Sequence, residues 1–355
     1  MQRDWRVDTL RGYCLVCMTL GHFPNPVARF TEYTFGYAAA PDGFVFLSGL
    51  VSAWVYLRLR EKQGERAMAR KVWRRVRDIY LSHLGLMTAG MLFAFGAGAH
   101  GFRTLHPVRA FVMGALLLYQ GGFDRILPMY CVFLAFTPIT LQQFRKNRGW
   151  LVLVISATLW ITAQFGLGDN SKRLPWLDLG TFNIFAWQAY FIAGQYFGYR
   201  GLSRSSAAVK SRVLLVICLL IAILFLVDRH LFWIAGRAPL LGFIGLPNHN
   251  WVRFLDAACL GYLLFCIPRS VDVRLRHLRA FEFLNVLGQH SLQVFVFSML
   301  VTRFEAHVIT GFSIPVKLLI TALTVLSLWL PARAHGIYRG WKRGAQAGVL
   351  ELART

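Results

Sequence analysis

Three ionisable side chains, Asp8, Arg11 and His22, lie along the first apolar stretch of the chain. At about 100° per residue they fall within about 60° of one another on a helix that begins at Asp8. Charged and titratable groups in such a segment are costly, and they face the bundle interior, where they pair or serve a pathway. His22 is the group suited to take a proton from a hydroxyl. Asp42, at the outer entrance of the next apolar stretch, is the best available carboxylate to orient its imidazole. Arg74 and Arg77, in Arg74-Arg75-Val76-Arg77-Asp78, are guanidinium forks of the kind that bind phosphate in bidentate fashion. Each feature also has a plainer reading. Asp8 and Arg11 can pair to anchor a helix at headgroup level, with His22 as an interfacial residue. Ser48-Gly49 can serve close helix packing, and the arginines can simply hold a loop on the cytoplasmic side. The rise from Asp8 to His22 is ~21 Å, so the two cannot touch along a straight helix and must do separate work.

The elements that position these groups are membrane helices. Hydrophobic residues make up 56% of the 355 residues and charged residues 15%, against roughly 25% charged in soluble domains. A soluble core of this size cannot hide that imbalance. The net charge of +23 falls in short Lys/Arg runs between apolar segments, the signature of cytoplasmic loops; nucleic acid is the poorer explanation. The six cysteines lie in apolar segments without clustered histidines, so they are read as packing groups and neither a disulfide framework nor a metal site is expected. No small-residue cleavage site follows the first apolar run, which is read as a retained span.

Apolar segments fall near residues 10–24, 43–59, 79–99, 107–121, 126–144, 150–167, 182–199, 213–234, 251–268, 283–302 and 314–331. The basic stretches at 58–77, 145–148, 200–212, 269–279 and from Arg333 onward can all be cytoplasmic only if one segment fails to cross. The short 107–121 segment, with Arg109 near its start and Gly121-Gly122 at its end, is that segment, re-entrant or interfacial. The expectation is an all-α, polytopic transmembrane bundle of about ten spans with both termini cytoplasmic. It forms one membrane domain over residues 1–340, followed by a short basic cytoplasmic tail at 341–355. Outer segments would then lie near 25–42, 100–125, 168–181, 235–250 and 303–313. No repeat or low-complexity linker divides the chain, and nothing in it sets an oligomeric state.

Several blocks resemble the OpgC-type membrane proteins, a branch of the acyltransferase 3 superfamily. The opening Arg3-Asp4-Trp5-Arg6-Val7-Asp8-Thr9-Leu10-Arg11-Gly12, the His22-Phe23-Pro24 that follows, and Phe44-Val45-Phe46-Leu47-Ser48-Gly49 stand where that family has matching stretches. Asp42-Gly43 departs from the glutamate expected there; charge is kept but reach is shorter by a methylene. Ile126-Leu127-Pro128-Met129-Tyr130, Asn183-Ile184-Phe185-Ala186-Trp187-Gln188 and Leu287-Gly288-Gln289-His290-Ser291 are similar too, and Arg74 and Arg77 resemble paired arginines at the start of the third span.

The resemblance implies an O-acyltransferase of the bacterial inner membrane. It would move an acyl group, succinyl in the founding activity, from cytoplasmic acyl-CoA to an extracytoplasmic, periplasmic glucan. No permanently bound cofactor is implied; succinyl-CoA or acetyl-CoA is the donor substrate. On that basis His22 takes the acceptor proton and Asp42 orients it. Arg74 and Arg77 hold the CoA phosphates together with Arg11, which Asp8 fixes. Ser48, Asn183, Trp187, Gln188, His290 and Ser291 are candidates for the pocket wall or for oxyanion donors. A succinyl donor would favour a cationic partner such as Arg125, Arg253 or Arg303. The alternatives are O-acetyl transfer to another envelope polysaccharide, solute transport without covalent chemistry, and, least favoured, a haem site using His22 and His290.

Overall fold

The computed structural model describes residues 4–32, 34–96, 107–118, 126–166, 183–203, 211–235, 251–267 and 274–352. Arg125 and the expected outer segment 168–181 lie outside them, as does 235–250 beyond Ala235. Among the described residues the chain is helical, with no strand. In chain order the helices are α1 (Trp5–Leu20), α2 (Ala28–Glu32), α3 (Ala40–Gly96), α4 (Pro107–Ala115), α5 (Ile126–Arg145), α6 (Gly149–Gln164) and α7 (Ile184–Ser203). There follow α8 (Arg212–Ile234), α9 (Trp251–Cys266), α10 (Arg279–Gln289), α11 (Ser291–Val308), α12 (Ile314–Ser327) and α13 (Trp329–Leu352). They group into two units, one of Met1–Glu32 with Pro268–Thr355 and one of Tyr33–Ile267.

Among the described residues four helices are long and apolar enough to cross a bilayer: Ala40–Phe93, Ile126–Arg145, Arg212–Leu231 and Ile314–Lys342. A fifth is reached only by counting α10 and α11 as one span bent by 95°. This is fewer than the expected ten. α1 and α9 have 16 residues each, short of the ~20 that span the hydrocarbon core. The expected span 283–302 is broken at His290, while the expected spans 43–59 and 79–99 fall on the two arms of α3 on either side of Gly64, the second as far as Gly96. The nine-residue α4 is about 13 Å long and too short to cross. α8 leaves Val213, Val216, Leu220, Ile223, Leu224 and Val227 exposed; a helix apolar all round its surface belongs in lipid.

α3 turns back on itself. Gly64 stands at φ 82°, ψ 176°, outside helical space, in a region glycine enters without the steric cost of a Cβ. Ser48 and Val76 would be about 42 Å apart on a straight helix. Yet the Tyr130 hydroxyl donates to Ser48 Oγ at 3.2 Å, and the adjacent Cys131 thiol lies 3.9 Å from the Val76 carbonyl. α3 is therefore a helical hairpin with α5 against both arms.

α1 starts at Asp4, whose carboxylate accepts from the Arg6 backbone N–H at 3.1 Å, a side-chain cap of the kind that satisfies orphan first-turn donors. It ends at Gly21; Asn25 Nδ2 then donates to the Leu20 and Phe23 carbonyls at 2.7 and 2.9 Å. α1 meets α10 backbone to backbone. A Cβ on Gly12 would lie 1.9 Å from the Leu284 carbonyl oxygen, and one on Gly288 1.7 Å from that of Asp8. Asn285 Nδ2 adds a bond to the Trp5 carbonyl at 2.9 Å. Farther along α1, Leu20 and Phe23 pack on Ile309, with Val16, Ala306, Ile320 and Val325 around them. In the second unit α3 and α7 approach as closely: a Cβ on Gly49 would sit 2.1 Å from the Phe191 carbonyl oxygen.

Candidate functional site

In the first unit α1 holds its ionisable groups at its two ends. Asp8 is buried in the first turn, and Arg11, one turn on, is half-buried. Arg11 Nη2 donates to Ser291 Oγ at 2.6 Å, so the structure joins two residues singled out separately in the sequence. Ser291 is the first residue of α11, directly after the 95° break. At the break itself His290 Nδ1 lies 2.9 Å from His335 Nδ1. Two such nitrogens can share one hydrogen bond only if one ring donates and the other accepts. This end of the unit thus gathers Asp8, Arg11, His290, Ser291 and His335.

His22 sits past the other end of α1 and is exposed. Its ring folds back so that Nδ1 makes a short contact with the Met18 carbonyl. A carbonyl only accepts, so Nδ1 carries the proton, and in the neutral ring Nε2 then carries the lone pair. That is the tautomer of a general base, and a backbone oxygen holds it.

In the second unit Asp42 is fully buried. Its Oδ2 accepts from Arg253 Nε at 2.5 Å and from the Ala39 backbone N–H at 2.8 Å. The Arg253 guanidinium lies over the Trp187 ring, 5.8 Å from its centroid. Tyr190, buried, packs on Phe254 and Trp187. Asp256 Oδ2 accepts from the backbone N–H groups of Tyr37 and Ala38 at 2.7 and 2.8 Å, and the Tyr37 hydroxyl donates to Asp228. Three buried carboxylates from α3, α8 and α9 thereby clamp the strap Gly36–Ala39. Gly36, at φ 118°, turns the strap toward them.

Ser48, in the same unit, joins Tyr130 by the bond described above, and Arg75 has Tyr130, Tyr56 and Asp78 as its electrostatic neighbours. Arg74 and Arg77 are exposed, Arg77 alongside Asp78 at 3.1 Å; Arg75 is the arginine of that run that turns inward. Asn183 caps α7, accepting from the Phe185 and Ala186 N–H groups at 3.0 and 3.3 Å. Gln188 ties α7 to α6 through Ser156, exchanging bonds of 2.8 Å with its hydroxyl and carbonyl.

His335, Arg75, Tyr130 as a partner of Ser48, and Asp228 and Asp256 are not singled out by motif or spacing in the sequence. The last two had a signal: each is a lone carboxylate inside an otherwise apolar segment, where ionisable groups are rare unless a partner is waiting. Nothing in its spacing linked His335 to His290, 45 positions earlier.

A family model described as OpgC protein matches residues 3–340. Neither curated proteins nor solved structures give a match. The matched stretch takes in both ends of α1, the Asp42–Arg253 cluster and the His290–His335 pair, and the chain belongs to the OpgC family.

Proposed function

We propose that this chain is a multi-pass O-acyltransferase of the bacterial inner membrane, moving an acyl group, succinyl by the family's implication, from cytoplasmic acyl-CoA to hydroxyls of a periplasmic glucan. OpgC membership over nearly the whole chain supports acyl transfer to a glucan. The observation that carries the chemistry is His22, exposed, with Nδ1–H on the Met18 carbonyl and a lone pair on Nε2. Its nitrogen takes the proton of an acceptor hydroxyl as the oxygen attacks the thioester carbonyl. The tetrahedral intermediate collapses, the C–S bond breaks, and the imidazolium returns the proton to the departing thiolate. A thioester is already activated, so no further covalent step is needed.

Two separate places offer guanidinium to the donor's phosphates: Arg11 in the first unit, where Ser291 fixes the guanidinium and Asp8 sits one turn before it, and Arg74 and Arg77 in the second, whose exposed forks suit phosphate. Arg75 joins them from the inward side of its helix. Asp42, paired with Arg253, supports the start of α3 and the strap before it. Trp187 and Ser48 line the acceptor and acyl path; Asn183 and Gln188 set the helices that carry it.

The test is mass spectrometry of cell-envelope glucans with and without the gene, repeated with His22→Ala. Loss of a succinyl ester in both strains is the expected result. An acetyl ester would correct the acyl group, and unchanged glucans would remove the assignment.

A further inference from the structure

The hairpin of α3 brings together two polar side chains that no described residue engages. Tyr56 and Arg75 stand on opposite arms, on either side of Gly64. Each is the other's leading electrostatic neighbour, so the fold sets the phenol beside the guanidinium. Arg75 is half-buried where Arg74 and Arg77 are exposed, and it forms no hydrogen bond or ion pair with a described residue. Asp78, the carboxylate nearest to it in sequence, accepts from Arg77 at 3.1 Å. Tyr130 stands on the third side, from α5, and has already given its hydroxyl proton to Ser48. Tyr56 is buried, yet its hydroxyl has no hydrogen-bond partner among the described residues either. A guanidinium offers five N–H donors in a fixed fork, and a phenol offers one more. Donors held so without acceptors are costly, and with a full positive charge among them they call for an oxyanion.

We infer that Arg75 and Tyr56 form the seat of a terminal oxyanion of the acyl donor, the guanidinium fork binding it side-on and the Tyr56 hydroxyl donating to it. The inference rests on the acyl-transfer function proposed above. The two arms of α3 and helix α5 bound the niche on three sides, so it suits a group at the end of a chain. A diester, with chain on both sides, would need a second way out. Two groups of such a donor qualify: the phosphate monoester at its nucleotide end and the free carboxylate of a succinyl group. Both present oxygens in the geometry that an arginine fork binds.

The seat is tested first without any donor. Phenylglyoxal modifies arginine, and its yield at Arg75 is read by peptide mass spectrometry in the full-length membrane protein, with inorganic phosphate or succinate as the probe. At least one of these anions should protect Arg75 while leaving the exposed Arg66 as reactive as before. Tyr56→Phe keeps the ring and its packing but removes one hydrogen bond to a charged group, so the protecting concentration should rise about tenfold. Arg75 left unprotected by both anions in the wild type overturns the inference. Binding of four ligands then separates the two sources. If the phosphate monoester sits there, Tyr56→Phe and Arg75→Lys weaken coenzyme A about tenfold and leave dephospho-coenzyme A unchanged. If the carboxylate sits there, they weaken succinyl-CoA and leave acetyl-CoA unchanged. Affinities that stay the same for all four, or fall equally for all four, also overturn it. A wild type that binds none of them while phosphate or succinate still protects Arg75 keeps the oxyanion seat and counts against the proposed function.

Discussion

His22 turns its Nδ1 edge onto the carbonyl of Met18, one turn earlier in the chain. The chain that carries the ring therefore also orients it, and on the proposed function the nitrogen that takes the proton is the one that faces away. Replacing His22 by Ala should cut acyl transfer by about 10²- to 10⁴-fold, the usual worth of a positioned general base. Because His22 is exposed, the variant should insert and melt like the wild type. Measured transfer per inserted molecule checks this, and full activity in the variant would exclude His22 from the chemistry.

The Asp42–Arg253 pair is buried, so its loss should register as stability. Asp42→Ala leaves the Arg253 guanidinium without its carboxylate, at a cost of about 3–5 kcal/mol. Asp42→Ala combined with Arg253→Met removes both charges and should recover most of that. Thermal unfolding in detergent gives the coupling energy, and a cycle that sums to zero would mean that the pair contributes nothing as a pair.

Gly12 and Gly288 admit no side chain. A Cβ at either would strike carbonyl oxygen of the opposing backbone, at 1.9 and 1.7 Å, which no rotamer change relieves. Gly12→Ala and Gly288→Ala should each destabilise the protein by at least about 1–3 kcal/mol, the usual range for overpacking. Gly85→Ala, where a Cβ meets nothing within 4 Å, is the matched control. Equal melting temperatures for the three variants would refute the close approach.

The arginines of α3 should separate by kinetics. Arg74→Gln and Arg77→Gln, both exposed, should raise KM for acyl-CoA by about three- to tenfold with kcat kept, as loss of uniform binding requires. The loss should shrink as salt screens the phosphates. Arg75→Gln, half-buried near Tyr56 and Tyr130, should lower stability as well. Steady-state kinetics at two ionic strengths distinguish these outcomes.

The parts of the molecule legible in the sequence are those set by short-range chemistry. The apolar composition announced membrane helices, and Gly49 packs closely, as its neighbourhood with Ser48 allowed; α1, read from Asp8, begins a turn earlier at Trp5 behind the Asp4 cap. Arg11 and Ser291 each stand out as residues, but 280 positions lie between them, and no local period encodes which helices meet. The same holds for Asp42 with Arg253. Span counting failed for a different reason. Hydropathy sees apolar length and is blind to direction, so it took the stretch around His290 as one straight element, where the chain bends by 95°. In the run from Arg74 to Arg77 the charge was plain, but which guanidinium turns inward depends on helix phase against α5.

The close seating of Gly12 and Gly288 has a consequence for how an acyl group could cross. Two helices locked at the backbone cannot slide past one another like a piston in a sleeve. α1 is then a ruler: from Arg11 to Leu20, two residues short of His22, it measures about 13 Å along its axis, and that length is fixed. On the proposed function the travelling part is the donor's flexible arm, and the enzyme selects donors by reach. A thioester on a shorter arm, with its phosphates seated at Arg11, would stop short of His22 and go unused.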